Sequence, residues 1–245
     1  MTDLKGRIAV VTGASRGLGR AAAFHLAKAG AHVIAVARTQ GGLEELDDEI
    51  KAIGGEATLV PVSMTDLPAL DRLGAAIFKR WKKLDILIGN AGVLGKLTPL
   101  AHLDQKVWDE VMAVNVTANY RLIRSLDPLL RLSDAGRAVF VTSGLAHRCW
   151  PYWGPYSISK AALEAMVKTY AGEIATTTAR ANCFSPGATR TDMRASAMPG
   201  EDPETLPTAE EVAAQIVPMC APDFTDNGAV YKYAPDGLFK QFDGV

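Results

Sequence analysis

Short, nearly continuous apolar runs alternate along the chain with longer segments whose apolar residues recur at helical spacing. The runs are RIAVVT (7–12), HVIAVA (32–37), ATLVPV (57–62), LDILIG (84–89), RAVFVTS (137–143), RANCFS (180–185) and AVYKYA (229–234). A strand with one wet face alternates apolar and polar residues; these runs do not, so both faces of their sheet are expected to be covered. Helical patterns fill the intervals at 17–29, 41–53, 67–81, about 104–131, about 155–175 and 208–217. The second stops at Gly54-Gly55, where a left-handed residue can end a helix. Repeated strand–helix–strand order predicts right-handed crossovers and a parallel sheet. The expectation is an α/β, doubly wound Rossmann fold of about seven parallel strands with helices on both faces. No linker, repeat or low-complexity tract divides the chain, so residues 1–245 are read as a single domain. Residues 188–207 are irregular and carry three prolines, which reads as a substrate lid.

The first run leads directly into TGASRGLG, residues 12–19, and then into the first helical pattern. Gly13, Gly17 and Gly19 allow a sharp turn and close backbone approach, and the helix start behind them offers N–H groups to a diphosphate. The same residues could form a tight connection and nothing more. The second run ends AVAR, with Ala37 where a carboxylate would pair with a ribose 2′-hydroxyl, followed by Arg38. With Arg16 inside the glycine turn, two guanidiniums stand where a 2′-phosphate would lie. NADP(H) is therefore favoured over NAD(H), against the plainer reading of two surface arginines.

YSISK, residues 156–160, sets Tyr156 and Lys160 four apart, on one face of a helix. A cation at that distance favours phenolate, which would make Tyr156 a tunable acid/base. The spacing also occurs by chance.

Composition narrows the classes. A net charge of −1 leaves no electrostatic footprint for nucleic acid or an anionic membrane. The opening MTDLKGRIAVV has no long apolar run behind a basic segment, so no signal peptide is expected, and no apolar stretch reaches a membrane span. Cys149, Cys183 and Cys220 are an odd, scattered set and read as reduced core thiols of a cytoplasmic protein. The four histidines have no metal spacing, so no metal is expected.

Taken together and in order, these pieces resemble the classical short-chain dehydrogenase/reductase family nearly end to end. TGASRGLG matches its cofactor turn, which implies that Gly13, Ser15, Arg16, Gly17, Leu18 and Gly19 hold the dinucleotide. GNAG (89–92) resembles the family's N-A-G motif, which implicates Asn90, Ala91 and Gly92 on the adenosine side. Asn115 in MAVNV, Ser143 in FVTSG, and Tyr156 and Lys160 in YSISK fall where the family has its catalytic quartet. SPGATRTDM (185–193) is similar to the P-G-x-I-x-T motif, with Pro186 and Gly187, Thr189 contributing a backbone N–H and Thr191 meeting the nicotinamide carboxamide. Where the family has an aspartate for the adenine amine, this chain has Ser63, with Asp66 three residues on.

The resemblance implies an NADP(H)-dependent oxidoreductase that moves a hydride between nicotinamide and a small-molecule carbonyl or alcohol. Tyr156 is then the general acid/base, Ser143 shares the oxyanion, and Asn115 and Lys160 order a proton relay. The family also implies a homodimer or homotetramer through helices 104–131 and 155–175. HRCWPYWGPY (147–156) places Trp150, Tyr152 and Trp153 just before Tyr156, as a substrate wall or as cover for a core edge. Arg190 and Arg194 in the lid allow an anionic substrate, and Arg121, Arg124 and Arg131 allow an acidic carrier protein. The competing reading is a catalytically silent NADP(H)-binding sensor or scaffold of the same fold.

Overall fold

The computed structural model describes residues 2–242. Seven strands lie parallel: β1 (Ile8–Thr12), β2 (His32–Ala37), β3 (Ala57–Pro61), β4 (Ile86–Gly89), β5 (Arg137–Val141), β6 (Arg180–Ser185) and β7 (Val230–Lys232). An eighth, β8 (Phe239–Phe242), pairs antiparallel with β7, giving the order β3-β2-β1-β4-β5-β6-β7-β8. β8 was not foreseen, because FKQF is short and half polar; an edge strand covered by one neighbour needs no continuous apolar run.

The helices are α1 (Gly17–Lys28), α2 (Gln40–Ala52), α3 (Leu67–Trp81), α4 (Gln105–Met112), α5 (Ala118–Arg131), α6 (Leu145–Arg148), α7 (Gly154–Ile174), α8 (Asp192–Ala197), α9 (Ala209–Ala214) and α10 (Ile216–Met219). Residues of β1 divide the core between them. Ala9 and Val11 join Leu26, Leu43, Val212 and Met219 on the face covered by α1, α2, α9 and α10. Ile8 and Val10 join Ile77, Leu122, Leu126 and Leu163 on the face covered by α3, α5 and α7. This two-sided burial is why the strands read as unbroken apolar runs.

Two expected helices are interrupted. The pattern at 104–131 holds a π-helical turn, Ala113–Thr117, between α4 and α5. Its extra residue changes which side chains face the sheet, and Asn115 lies within it, fully buried. The pattern at 208–217 divides into α9 and α10, because Pro218 has no N–H to give the Ala214 carbonyl and its ring crowds that group.

At the amino ends of the strands, the buried Asp85 carboxylate accepts from Ile8 N (2.9 Å), Arg7 Nη1 (3.1 Å), Lys83 Nζ (2.9 Å) and Ser133 Oγ (2.5 Å). These bonds join the start of β1 to the approach to β4 and the turn before β5, at the end of the sheet opposite the loops described next.

Candidate active site

The carboxyl ends of the parallel strands open into loops that carry most of the residues singled out above. The strand order reverses between β1 and β4, and a ligand crevice in a doubly wound sheet lies outside the carboxyl ends at such a reversal.

The glycine turn leaves β1 at that point. Gly13 (φ +68°) and Gly17 (φ +54°) take left-handed backbone that side chains disfavour. Gly19 is fixed by space, since a Cβ there would stand 2.3 Å from both the Gly13 carbonyl oxygen and Asn90 Nδ2. Thr12 anchors the neighbouring loop: its hydroxyl accepts from Asn90 N and Ala91 N, both at 3.0 Å, and Asn90 Nδ2 donates to Thr12 O at 2.8 Å. Arg16 precedes α1 in extended backbone, and its side chain caps none of the helix's N–H groups. No carboxylate lies in the first turn, so the positive end of α1 is uncompensated from within the helix and suits a diphosphate. Ser15 lies against the start of α2, where a Cβ on Gly42 would come 2.9 Å from its carbonyl oxygen, and Leu18 is buried beneath the turn. Arg16 is largely exposed, 3.7 Å from Asp192, and Arg38 is exposed at the end of β2. This donor set, a glycine cradle with an open helix terminus and two guanidiniums nearby, fits a phosphorylated dinucleotide.

Ser63 follows β3, but its hydroxyl is engaged in its own turn, 2.8 Å from Thr65 Oγ1 and accepting from Thr65 N. Asp66 is spent capping α3, accepting from Ala69 N at 3.0 Å. After β6, Gly187 (φ +72°) turns the chain, the Thr189 hydroxyl donates to Pro186 O, and Thr191 caps α8 by accepting from Arg194 N. A Cβ on Gly17 would lie 3.5 Å from Thr191 Cγ2, so this loop closes onto the glycine turn.

Across the crevice, α7 presents Tyr156 and Lys160. Lys160 Nζ lies 5.7 Å from the Tyr156 ring centroid and donates to Val141 O at 2.7 Å. Gly92 leaves room there, since a Cβ on it would stand 3.5 Å from that ammonium. The Asn115 side chain accepts from Val93 N (2.8 Å) and donates to Val93 O (3.0 Å) and Ser159 Oγ (2.9 Å). Ser159 in turn donates to Tyr156 O at 2.8 Å, so Asn115 locks α7 in register with the loop after β4. The Asn115 carbonyl accepts from Asn119 Nδ2 at 2.8 Å.

The electrostatics differ from the spacing argument. Burial pushes the Tyr156 phenol above its ordinary value, and a hydrogen bond with Ser143 opposes it. Burial also lowers Lys160 to about 8, opposed by the negative charge of Glu164. Desolvation, which a one-turn spacing does not reveal, outweighs the favourable contacts of both groups.

Glu164 was missed. It is the third member of the series Tyr156, Lys160, Glu164 at four-residue steps, and that repeat was the available signal. The Thr142 hydroxyl donates to it at 2.6 Å, and His147 Nε2 lies 2.7 Å away.

The aromatic loop is mixed. Trp153 is buried edge-on against Tyr156 (6.2 Å between centroids), and Trp150 packs edge-on against Trp153 (6.3 Å). Trp150 and Tyr152 are exposed, and Cys149 (φ +47°) and Tyr152 (φ +73°) hold left-handed backbone, a strained state for such residues. Cys183 and Cys220 are buried as expected, whereas Cys149 is exposed.

Residues 188–207 fold into α8 and a short 3-10 turn at Pro203–Thr205. Arg194 makes a two-pronged pair with Glu201, and Arg190 pairs with Glu204 at 2.9 Å, so neither guanidinium is held out for an anion. On the helix considered for a carrier protein, Arg121 is paired with Asp71 and Arg131 with Asp127, and Arg124 is exposed. No helix among the described residues is long and apolar enough to cross a membrane.

Comparison with known proteins agrees with this geometry. The short chain dehydrogenase family model matches residues 7–202. The Escherichia coli (strain K12) oxidoreductase YciK is 38% identical over 212 residues, spanning 85% of this chain and 84% of its own length. A short chain dehydrogenase from Salmonella enterica serovar Typhi superposes with a TM-score of 0.92 at 34% identity, over 96% of this chain and 99% of that one. One from Shigella flexneri 2a, complexed with NADP, gives 0.90 at 34% identity, over 95% and 99%. With the sheet order, the glycine turn and the matched residues in agreement, the chain belongs to the short-chain dehydrogenase/reductase family, oxidoreductases that bind a nicotinamide cofactor and act on small molecules.

Proposed function

We propose that this chain is an NADP(H)-dependent oxidoreductase that interconverts a carbonyl and an alcohol, with Tyr156 as its general acid/base. The observation that carries the reading is Lys160 Nζ held by Val141 O at 5.7 Å from the centre of the Tyr156 ring, one helical turn away on α7, at the sheet's ligand-binding end. The exposed Arg16 and Arg38 beside the glycine turn support NADP(H), as does the NADP complexed with the Shigella relative.

When bound, the dinucleotide supplies or accepts the hydride. Gly13 to Gly19 and the start of α1 would hold its diphosphate, Arg16 and Arg38 its 2′-phosphate, Asn90 to Gly92 its adenosine side, and Thr191 its carboxamide. Ser143 donates a hydrogen bond to the substrate oxygen, and Tyr156 delivers the proton as negative charge builds there. As the phenol loses its proton, the nearby ammonium stabilises the phenolate by on the order of 1–4 kcal/mol. A phenol pushed upward in pKa stays protonated at neutral pH, which suits an acid in the reducing direction. Asn115 keeps α7, and with it Tyr156, in place. Residues 188–207 would close over a substrate whose apolar side meets Trp150 and Tyr152; the pairing of Arg190 and Arg194 favours an uncharged one.

Oxidation of NADPH against a panel of ketones and aldehydes tests this. Tyr156→Phe is expected to lower kcat by about 10²–10⁴-fold with NADPH affinity unchanged. A blank across the panel despite tight NADPH binding would replace the enzyme with a cofactor sensor.

A further inference from the structure

Glu164 sits on α7 one helical turn beyond Lys160, with a side chain only 10% exposed. A carboxylate so covered is costly unless its oxygens are used. Here each oxygen has its own partner on a different element. Oε1 accepts from the hydroxyl of Thr142, the residue just after β5 and immediately before Ser143. Oε2 lies 2.7 Å from His147 Nε2 on α6, the short helix that follows Ser143. The turn that carries Ser143 is thus gripped on both sides by one side chain of the helix that carries Tyr156 and Lys160. Within that turn the Ser143 hydroxyl accepts weakly from Leu145 N at 3.3 Å and its carbonyl accepts from Ala146 N at 2.9 Å, while the Glu164 contacts tie the turn to α7 from either side of Ser143.

The charged and titratable groups facing this carboxylate are Lys160 and Lys168 on α7, His147 on α6 and the buried Cys183 on β6. His147, Glu164, Lys168 and Cys183 also line an open pocket of about 330 Å³ beside α7, together with Val230 of β7.

We propose that Glu164 is a positioning residue: its carboxylate clamps the Ser143 turn to α7, setting the Ser143–Tyr156 distance, and supplies the negative charge that faces Lys160. The inference rests on the reading of Ser143, Tyr156 and Lys160 as the acting groups. It gives the His147–Glu164 pair a task that neither nucleophilic nor metal chemistry would give it.

Glu164→Gln keeps the side chain's size and removes its charge, and Thr142→Val removes one arm of the clamp and leaves the charge. Titration of Lys160 by side-chain NMR needs no substrate, and in Glu164→Gln its midpoint is expected to fall by about 0.5–1 unit. The alkaline limb of the kcat–pH profile moves the same way, while kcat falls about tenfold from misplacement and NADPH affinity at pH 7 stays within about twofold. In Thr142→Val, kcat falls and the Lys160 midpoint stays. A Lys160 midpoint and pH profile unmoved in Glu164→Gln, or an unchanged kcat in both variants, would overturn the clamp. A wild-type protein inert on every carbonyl, with the Lys160 midpoint still shifting in Glu164→Gln, would instead overturn the functional reading and support the charge half of the inference.

Discussion

Ionisable groups are buried at both ends of this sheet, and the two ends treat them differently. At the amino ends Asp85 has four donors around its two oxygens, and its neighbour Arg7 is raised in pKa by the pairing with Asp134 and Asp85. At the carboxyl ends Lys160 donates to the carbonyl of Val141 and is pushed down to about 8, and Tyr156 is pushed up. The first arrangement matches burial with partners and holds strands together. The second leaves desolvation only partly offset, which raises the energy of the charged forms: the ammonium gives up its proton more readily, and the phenol keeps its own until negative charge builds on a ligand. Burial alone therefore does not mark a site; burial without full compensation does.

Three experiments sharpen or break that contrast. The largest effect is expected at the structural end. Asp85→Ala strands the Ile8 N–H and the surrounding cations, and denaturant unfolding should record a loss of about 3–5 kcal/mol, with kcat of the folded fraction unchanged. At the other end, Lys160→Met should have the opposite sign for stability: a gain of about 1–3 kcal/mol at pH 7, together with loss of turnover. The folded-state pKa of Lys160 lies below the ordinary lysine value, so the cost of burying the ammonium is complete below pH 8 and is relieved as pH rises toward about 10.4. The advantage of Lys160→Met should accordingly shrink over that window; a constant advantage would mean that Lys160 is not desolvated as described. The smallest effect concerns neither buried group. Arg38→Ala should weaken NADPH about tenfold, roughly 1.4 kcal/mol, and leave NADH within about twofold, as read by fluorescence titration. Equal losses for both cofactors would remove Arg38 from 2′-phosphate recognition.

The periodicity of the chain already contained the seven parallel strands, because strands covered on both faces must be apolar throughout, and their bounds fall within two residues of those read from the runs. It also contained the glycine turn and the Tyr156–Lys160 spacing, since each is tied to a local backbone requirement or to a one-turn step, whereas Asn115 stood out only through the family resemblance. The polar edge strand β8, the π-helical turn that buries Asn115 and the division of α9 from α10 were not visible, because each depends on contacts with another element.

Charge partnership divides the same way. From sequence, Arg190, Arg194, Arg121 and Arg131 were open to ligands; the fold gives Glu204, Glu201, Asp71 and Asp127 to them. Sequence by itself determined the layered α/β sheet and the order in which chemically capable residues arrive at its carboxyl end, since those follow from local backbone needs and strand periodicity. Tertiary structure decided how far each of those groups is removed from water and which partner it meets, because desolvation and long-range pairing are properties of the assembled core and of no segment alone.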